Sequence, residues 1–234
     1  MNDMSLKARI RNLAKEKNIS AQAVLQNYLM RRFLLRLSES EYKDKFVVKG
    51  GMLISSIVGI DHRATMDLDT TLRNLPLTEA SIRKAIEEIC SIHKNDDIEF
   101  TMDSIAPIRD DDEYGGYRVG FTAKYGKINA PMSMDVSTGD IITPGAKIHA
   151  FTDMFDYSEI FELWSYTLET ILAEKTETIL SRGIDNTRPR DFYDVYMLSA
   201  FQYDQVVFKE AFGRQGTVLC LLFVSPCLLQ FEAI

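Results

Sequence analysis

Cysteine is scarce in this 234-residue chain: Cys90, Cys220 and Cys227 are all it has. None stand in a C-x-x-C pair, so neither a disulfide framework nor a cysteine metal site is expected, and a reducing cytoplasm is the expected compartment. Histidine is equally thin. His62, His93 and His149 show no zinc spacing. Long apolar runs are missing too. The most apolar stretch, VLCLLFV, is followed by Ser225 and Pro226, whereas a membrane helix needs about 20 residues. The first residues, MNDMSLKARIRNLAKEKN, are charged throughout and lack the apolar segment of a secretory signal. There is no internal repeat and no low-complexity segment. No Gly-x-Ser-x-Gly elbow or Cys–His nucleophile pattern occurs. GDIITPGAK lacks the Lys-Ser/Thr of a P-loop. DLDTTL and DDDEYG lack the glycine and later Glu of a calcium loop.

What remains is an ordinary globular composition, 46% hydrophobic and 26% charged. The length suits one large domain or a core with a helical appendage. The net charge is −7, but it is unevenly spread. Residues 1–36 hold Lys7, Arg9, Arg11, Lys15, Lys17, Arg31, Arg32 and Arg36 against Asp3 and Glu16, so +6, leaving −13 for the rest. A basic end on an acidic body is either a solvated helical face or a footprint for a polyanion. In the second case Arg9, Arg11, Arg31, Arg32 and Arg36 would hold an RNA acceptor. In the first, the same helices cap the core through Leu25, Leu29 and Leu35.

Residues 5–18 and 20–37 read as helices, with Ser20 as the second N-cap. FVV (46–48) is a short strand ending in Lys49-Gly50-Gly51, and Met52 to Ile60 suits a buried helix. Met66-Asp67-Leu68-Asp69-Thr70 alternates apolar and acidic, which is strand periodicity. A helix is expected at about 78–93, then a β-meander over 98–137 built from IEFTMDSI, GYRVGFTAKY and APMSMDVS. ITPGAK reads as a loop, and from about 158 the chain reads as helical. Residues 165–182 form one strong helix with Gly183 as C-cap, and Pro189 opens another. The expected organisation is an N-terminal helical segment 1–40, a core 41–157 and a helical part 158–234, with an atypical tail after about 204. FGRQGTVLCLLFVSPCLLQFEAI lacks helical amphipathicity and reads as an altered or truncated end.

Residues two apart in a strand share a face, so Asp67 and Asp69 project together while Met66 and Leu68 are expected in the core. Two carboxylates that close either share a proton or bind a cation. A bare D-x-D also describes the acidic face of an edge strand. The Gly50-Gly51 turn upstream adds specificity, because a glycine turn entering a helix offers backbone N–H groups to a phosphate. Asp135, between Met134 and Val136, would complete a three-carboxylate site if its strand lay beside the D-x-D strand. Magnesium takes such oxygen ligands and keeps positions for substrate phosphates. Lys175 and Arg182 share a helix face, as do Asp191 and Asp194. The last two could equally form a structural ion-pair network between packed helices.

KGG followed by R-x-T-x-D-L-D resembles the first motif of nucleotidyltransferases of the DNA polymerase β superfamily. It is most similar to the AbiE-type abortive-infection toxins of type IV toxin–antitoxin systems. SYTLETILAEKTETILSRG and NTRPRDFYDVYML resemble the family's later motifs, and the likeness covers about residues 44–200. The resemblance implies an α+β fold, a nucleotidyltransferase-type mixed sheet flanked by helices, with N-terminal helices and a helical C-terminal part. It implies Lys49, Gly50 and Gly51 as the nucleotide-binding turn, and Asp67, Asp69 and Asp135 as catalytic, metal-binding acids. Lys175 would contact the triphosphate, with Arg182, Asp191 and Asp194 completing or bracing the nucleotide site. It implies a magnesium-dependent enzyme that moves a nucleoside monophosphate from an NTP to an acceptor, tRNA in some members, acting in phage defence. A winged-helix antitoxin would be the partner, and no membrane is involved. A protein-nucleotidylating enzyme and an inactive nucleotide- or RNA-binding module are the alternatives. The broader superfamily often has Gly-Ser at the turn; Gly50-Gly51-Met52 offers no such hydroxyl, which the AbiE type tolerates.

Overall fold

The computed structural model describes residues 3–108, 115–183 and 186–215. They fall into two units. The first takes the described residues up to Asp140 together with Ala146–Tyr166; the second takes Ile141–Gly145 and the described residues from Thr167 onward.

The first unit is built on one seven-stranded sheet. Its strands are β1 (Phe46–Lys49), β2 (Asp67–Leu72), β3 (Glu99–Pro107), β4 (Tyr117–Tyr125), β5 (Ile128–Ser137), β6 (Lys147–Thr152) and β7 (Ile160–Ser165), in the order β3-β4-β5-β2-β1-β7-β6. The sheet is mixed: β2 runs parallel to β5 and β1 parallel to β7, while the other neighbours are antiparallel. Period-two alternation decides which face each side chain takes. In β5, Ile128, Ala130, Met132, Met134 and Val136 are buried, and Asp135 lies on the other face with Ser133 and Ser137. In β4, Val119, Phe121, Ala123 and Tyr125 are buried.

Four helices belong to this unit: α1 (Asp3–Lys17), α2 (Ala21–Glu39), α3 (Gly50–Val58) and α4 (Glu79–Cys90). Ser20 caps α2 by accepting from the Ala23 amide at 3.1 Å. Phe33 of α2 packs on Phe121 and Phe100, ring centroids 4.6 and 5.6 Å away, which fixes the helix against β4 and β3. From Ala23 to Leu37 nearly every α2 side chain is buried. A helix buried all round is a core helix, and that overturns the polyanion footprint for two of its arginines. Arg32 bonds Asp96 at 2.8 Å, Asp153 at 3.2 Å and Glu159. Arg36, with 0% exposure, bonds Asp96 and the Ile92, Ile98 and Arg32 carbonyls. Arg31 reaches Asn27 and the Thr152 carbonyl. Arg9 and Arg11 are exposed.

The second unit holds α5 (Leu168–Arg182), α6 (Pro189–Ser199) and α7 (Gln205–Arg214). Thr167 caps α5, Pro189 opens α6, and Asp204 caps α7 by accepting from the Val206 and Val207 amides.

Two sequence expectations fail. The chain from about 158 is not helical at once: Ile160–Ser165 is β7, paired with β6 (Lys147–Thr152) in a hairpin, and the helix starts at Leu168. In IFELWS the alternation is plain afterwards, with Phe161, Leu163 and Ser165 inward. Met66 is not in the core; it precedes β2 and is 51% exposed. The tail beyond residue 215 lies outside the described residues. Among the described residues no helix is long and apolar enough to cross a membrane.

Candidate active site

The turn from β1 into α3 is set by Gly50, whose φ is +64°. A Cβ there would lie 2.0 Å from Asp69 Oδ2, so no other residue fits without moving that carboxylate. A Cβ on Gly51 would meet Thr65 Oγ1 at 2.7 Å. Thr65 is buried, and its hydroxyl lies 3.2 Å from the Asp67 carbonyl, so the R-x-T-x-D spacing wedges the threonine between turn and strand. The Gly51 amide donates to the Asp69 carboxylate. One of the N–H groups expected for a phosphate is thus directed at Asp69 here.

Strand register brings the acids together. Asp69 of β2 stands opposite Asp135 of β5, and Asp67 opposite Ser133, whose hydroxyl donates to it at 3.2 Å. On the far side of β2, Lys49 of β1 stands opposite Asp69; on the far side of β5, Arg118 of β4 stands opposite Asp135. One row across four strands therefore reads Lys49, Asp69, Asp135, Arg118. Burial pushes the Asp69 carboxyl above its ordinary range, and the charges of Asp135 and Asp67 add to it; Lys49 and the Gly51 amide oppose. The row has an excess of negative charge at its centre.

Lys49 is committed sideways. Its ammonium bonds Asp140 and, at 2.9 Å, Ser137. Burial raises the cost of ionising Asp140, yet Lys49, with Tyr166 and Ser137, holds its carboxyl below the ordinary range. Tyr166 donates to the same Asp140 oxygen at 2.6 Å. Arg118 grips Asp135 with both arms, Nε to Oδ1 and Nη2 to Oδ2, each 2.7 Å. Sequence reasoning missed Arg118, Asp140 and Tyr166. Arg118 was within reach: the two-residue turn Gly126-Lys127 pairs Tyr125 with Ile128 and so fixes every pair in the hairpin.

The donor set suits a hard cation. Two carboxylates on one strand and a third beside them supply oxygen ligands, and the local charge is uncompensated at Asp69. As the side chains stand, no group of three acids, histidines or cysteines among the described residues is arranged to hold a metal ion. Both Asp135 oxygens are taken by Arg118.

In the second unit, Lys175 of α5 bonds Asp191 and lies 3.1 Å from Asp194 Oδ2, both on α6. Both carboxylates are buried, and Asp191 Oδ2 has no hydrogen-bond partner among the described residues. Arg182, the last residue of α5, is exposed.

A mixed sheet carrying a glycine turn, a helix and then a D-x-D strand beside a third acid is the layout of a nucleotidyltransferase. The fold is shared with a Helicobacter pylori crystal structure described as a nucleotidyltransferase: TM-score 0.50, 19% identity, covering 77% of this chain and 69% of that one. JHP933 from Helicobacter pylori matches at TM-score 0.49 and 19% identity over 77% of this chain and 67% of that one. An antigenic nucleotidyltransferase-like protein from Paracoccidioides brasiliensis matches at TM-score 0.42 and 13% identity, over 73% and 78%. No curated protein sequence matches the chain. The family model of the nucleotidyl transferase AbiEii toxin, type IV toxin–antitoxin system, matches residues 32–217, well over half the chain, and the protein belongs to that family. It is a nucleotidyltransferase, and the family implies an antitoxin as its partner. The match also overturns the expectation that the family likeness ends near 204: it runs through α7.

Proposed function

We propose that this toxin transfers a nucleoside monophosphate from an NTP to a hydroxyl of an RNA acceptor, with tRNA the leading candidate, in a magnesium-dependent reaction. The observation that carries this is the pairing of Asp69 with Asp135 across β2 and β5, with Asp67 two residues away on the same face. Asp67, Asp69 and Asp135 would hold the cation, which when bound neutralises charge developing on the phosphate oxygens. The acceptor oxygen attacks the α-phosphorus, the bond to the β-phosphate bridge breaks, and pyrophosphate leaves. One of the three carboxylates takes the hydroxyl proton. Gly50 and Gly51 shape the turn, and Lys49, anchored by Asp140, Ser137 and Tyr166, offsets part of the charge at Asp69.

Lys175 is read as a triphosphate contact on the family resemblance, with Arg182 completing or bracing the nucleotide site. Asp191 and Asp194 are read as the braces of Lys175, which is what their contacts with its ammonium support. The antitoxin is read as a winged-helix protein.

The test is incubation with each α-labelled NTP, magnesium, total RNA and lysate protein. Label should appear on RNA, vanish with EDTA, and fall at least about a hundredfold in Asp67→Ala and Asp69→Ala. Label on protein would move the acceptor to protein. Unimpaired transfer in both variants would sink the reading.

A further inference from the structure

Arg118 has no part in the reaction as described so far. Yet it is the outer member of the charged row, opposite Asp135 in register, and both of its bonds go to that carboxylate. Its side chain is 61% exposed, against 25% for Asp135. The opposite end of the row behaves differently. Lys49 is anchored by a carboxylate of its own, Asp140, and does not depend on Asp69 for a partner.

A guanidinium fork and a divalent cation make the same demand of a carboxylate. Each wants its oxygens, and each repels the other. Asp135 is gripped through both oxygens, and as the side chains stand the three acids are not arranged for a metal. With Asp135 released, the register leaves two carboxylates at the centre of the row, with Asp67 two residues away on the same face.

We propose that Arg118 is a positioning residue, an exchangeable clamp that serves Asp135 as counter-ion until a divalent cation displaces it. The inference rests on the reading of Asp67, Asp69 and Asp135 as a cation site. The clamp neutralises Asp135 in part in the cation-free protein, leaving Asp69 still crowded, and sets a threshold that the cation must overcome. The exposed guanidinium has room to swing aside, whereas a buried one would not.

The probe is Mn2+ binding to the full chain without nucleotide, read from the free-ion signal in electron paramagnetic resonance. The proteins are wild type, Arg118→Ala, Arg118→Lys and, as control, Asp69→Asn. Arg118→Ala should bind Mn2+ about tenfold tighter. Arg118→Lys should fall between it and wild type, because an ammonium cannot hold both oxygens as a fork does. In EDTA, Arg118→Ala should melt lower than wild type, and saturating Mn2+ should raise its melting temperature by more. Asp69→Asn should lose binding. If wild type and Arg118→Ala bind Mn2+ equally while Asp69→Asn does not, the clamp is wrong and the cation site stands. If neither wild type nor Arg118→Ala binds Mn2+, the cation site fails and takes the clamp with it.

Discussion

Two groups of ionised side chains occur in the same unit and are built to opposite rules. Around α2, Arg36 uses all five of its N–H donors, on Asp96, on the Ile92 and Ile98 carbonyls and on the Arg32 carbonyl. Asp153 is matched in the same way: one oxygen meets Arg32, and the other accepts the Phe155 and Asp156 amides. Burial disfavours the Asp96 charge, but Arg36 and Arg32 still hold its carboxyl below the ordinary range. On β2 and β5 the arrangement is reversed. Like charges are set side by side, and Asp69 is pushed up rather than down. Completed hydrogen bonding marks a cluster that holds the fold together. On the proposed reading, like charges left crowded on the sheet mark one that takes a cation.

The largest effect expected from this contrast is in the closed cluster. Arg36→Met should cost about 3 kcal/mol or more in urea unfolding, because Asp96 loses its main partner in a mostly buried place. Adding Asp96→Leu should recover part of the loss. A cost under about 1 kcal/mol would show that α2 does not depend on the network.

The open cluster should respond with the opposite sign. Asp69→Asn in cation-free buffer should stabilise the protein by about 1 kcal/mol at neutral pH. Because the native carboxyl titrates above its unfolded value, the native state binds the proton more tightly. Wild-type stability from this group is therefore full below the unfolded value and lost as pH rises through the native one. The gap between variant and wild type should be small near pH 4 and widen toward pH 7. Asp96 and Asp140 slope the other way, but both proteins contain them, so they cancel in the difference. A gap that narrows with pH would contradict the uncompensated charge.

The smallest effect is expected at the exposed arginines of α1. Arg9→Gln with Arg11→Gln should leave the unfolding free energy within about 0.5 kcal/mol of wild type. A loss as large as that of Arg36→Met would place them in the closed cluster and erase the distinction.

These contrasts also mark what could be read from the chain. The three acids were legible because strand periodicity is local, and the order turn, helix, D-x-D is visible in a single stretch. Arg32 and Arg36 were misread as surface charge because their acids stand between 60 and 127 positions away, and charge counting cannot pair distant residues. IFELWS was absorbed into the helix that follows, since only two residues separate Ser165 from Leu168. Six alternating residues carry little signal against a strong helical pattern directly after them. Met66 lies one residue before β2, so the strand's alternation does not extend to it.

On the proposed reading, the parallel pairing of β2 with β5 also sets when the three acids come together. Asp69 and Asp135 are 66 positions apart, with α4, β3 and β4 made between them. At about 5–20 residues per second, a ribosome needs roughly 3–13 s to travel from one to the other. Until β5 has emerged and closed that long loop against β2, the nascent chain carries its acids on separate strands. A slip of one position in the pairing would turn Asp135 to the opposite face. On the proposed reading the three-acid centre is thus a product of completed folding: neither a chain still being synthesised nor one misregistered at β5 would carry it.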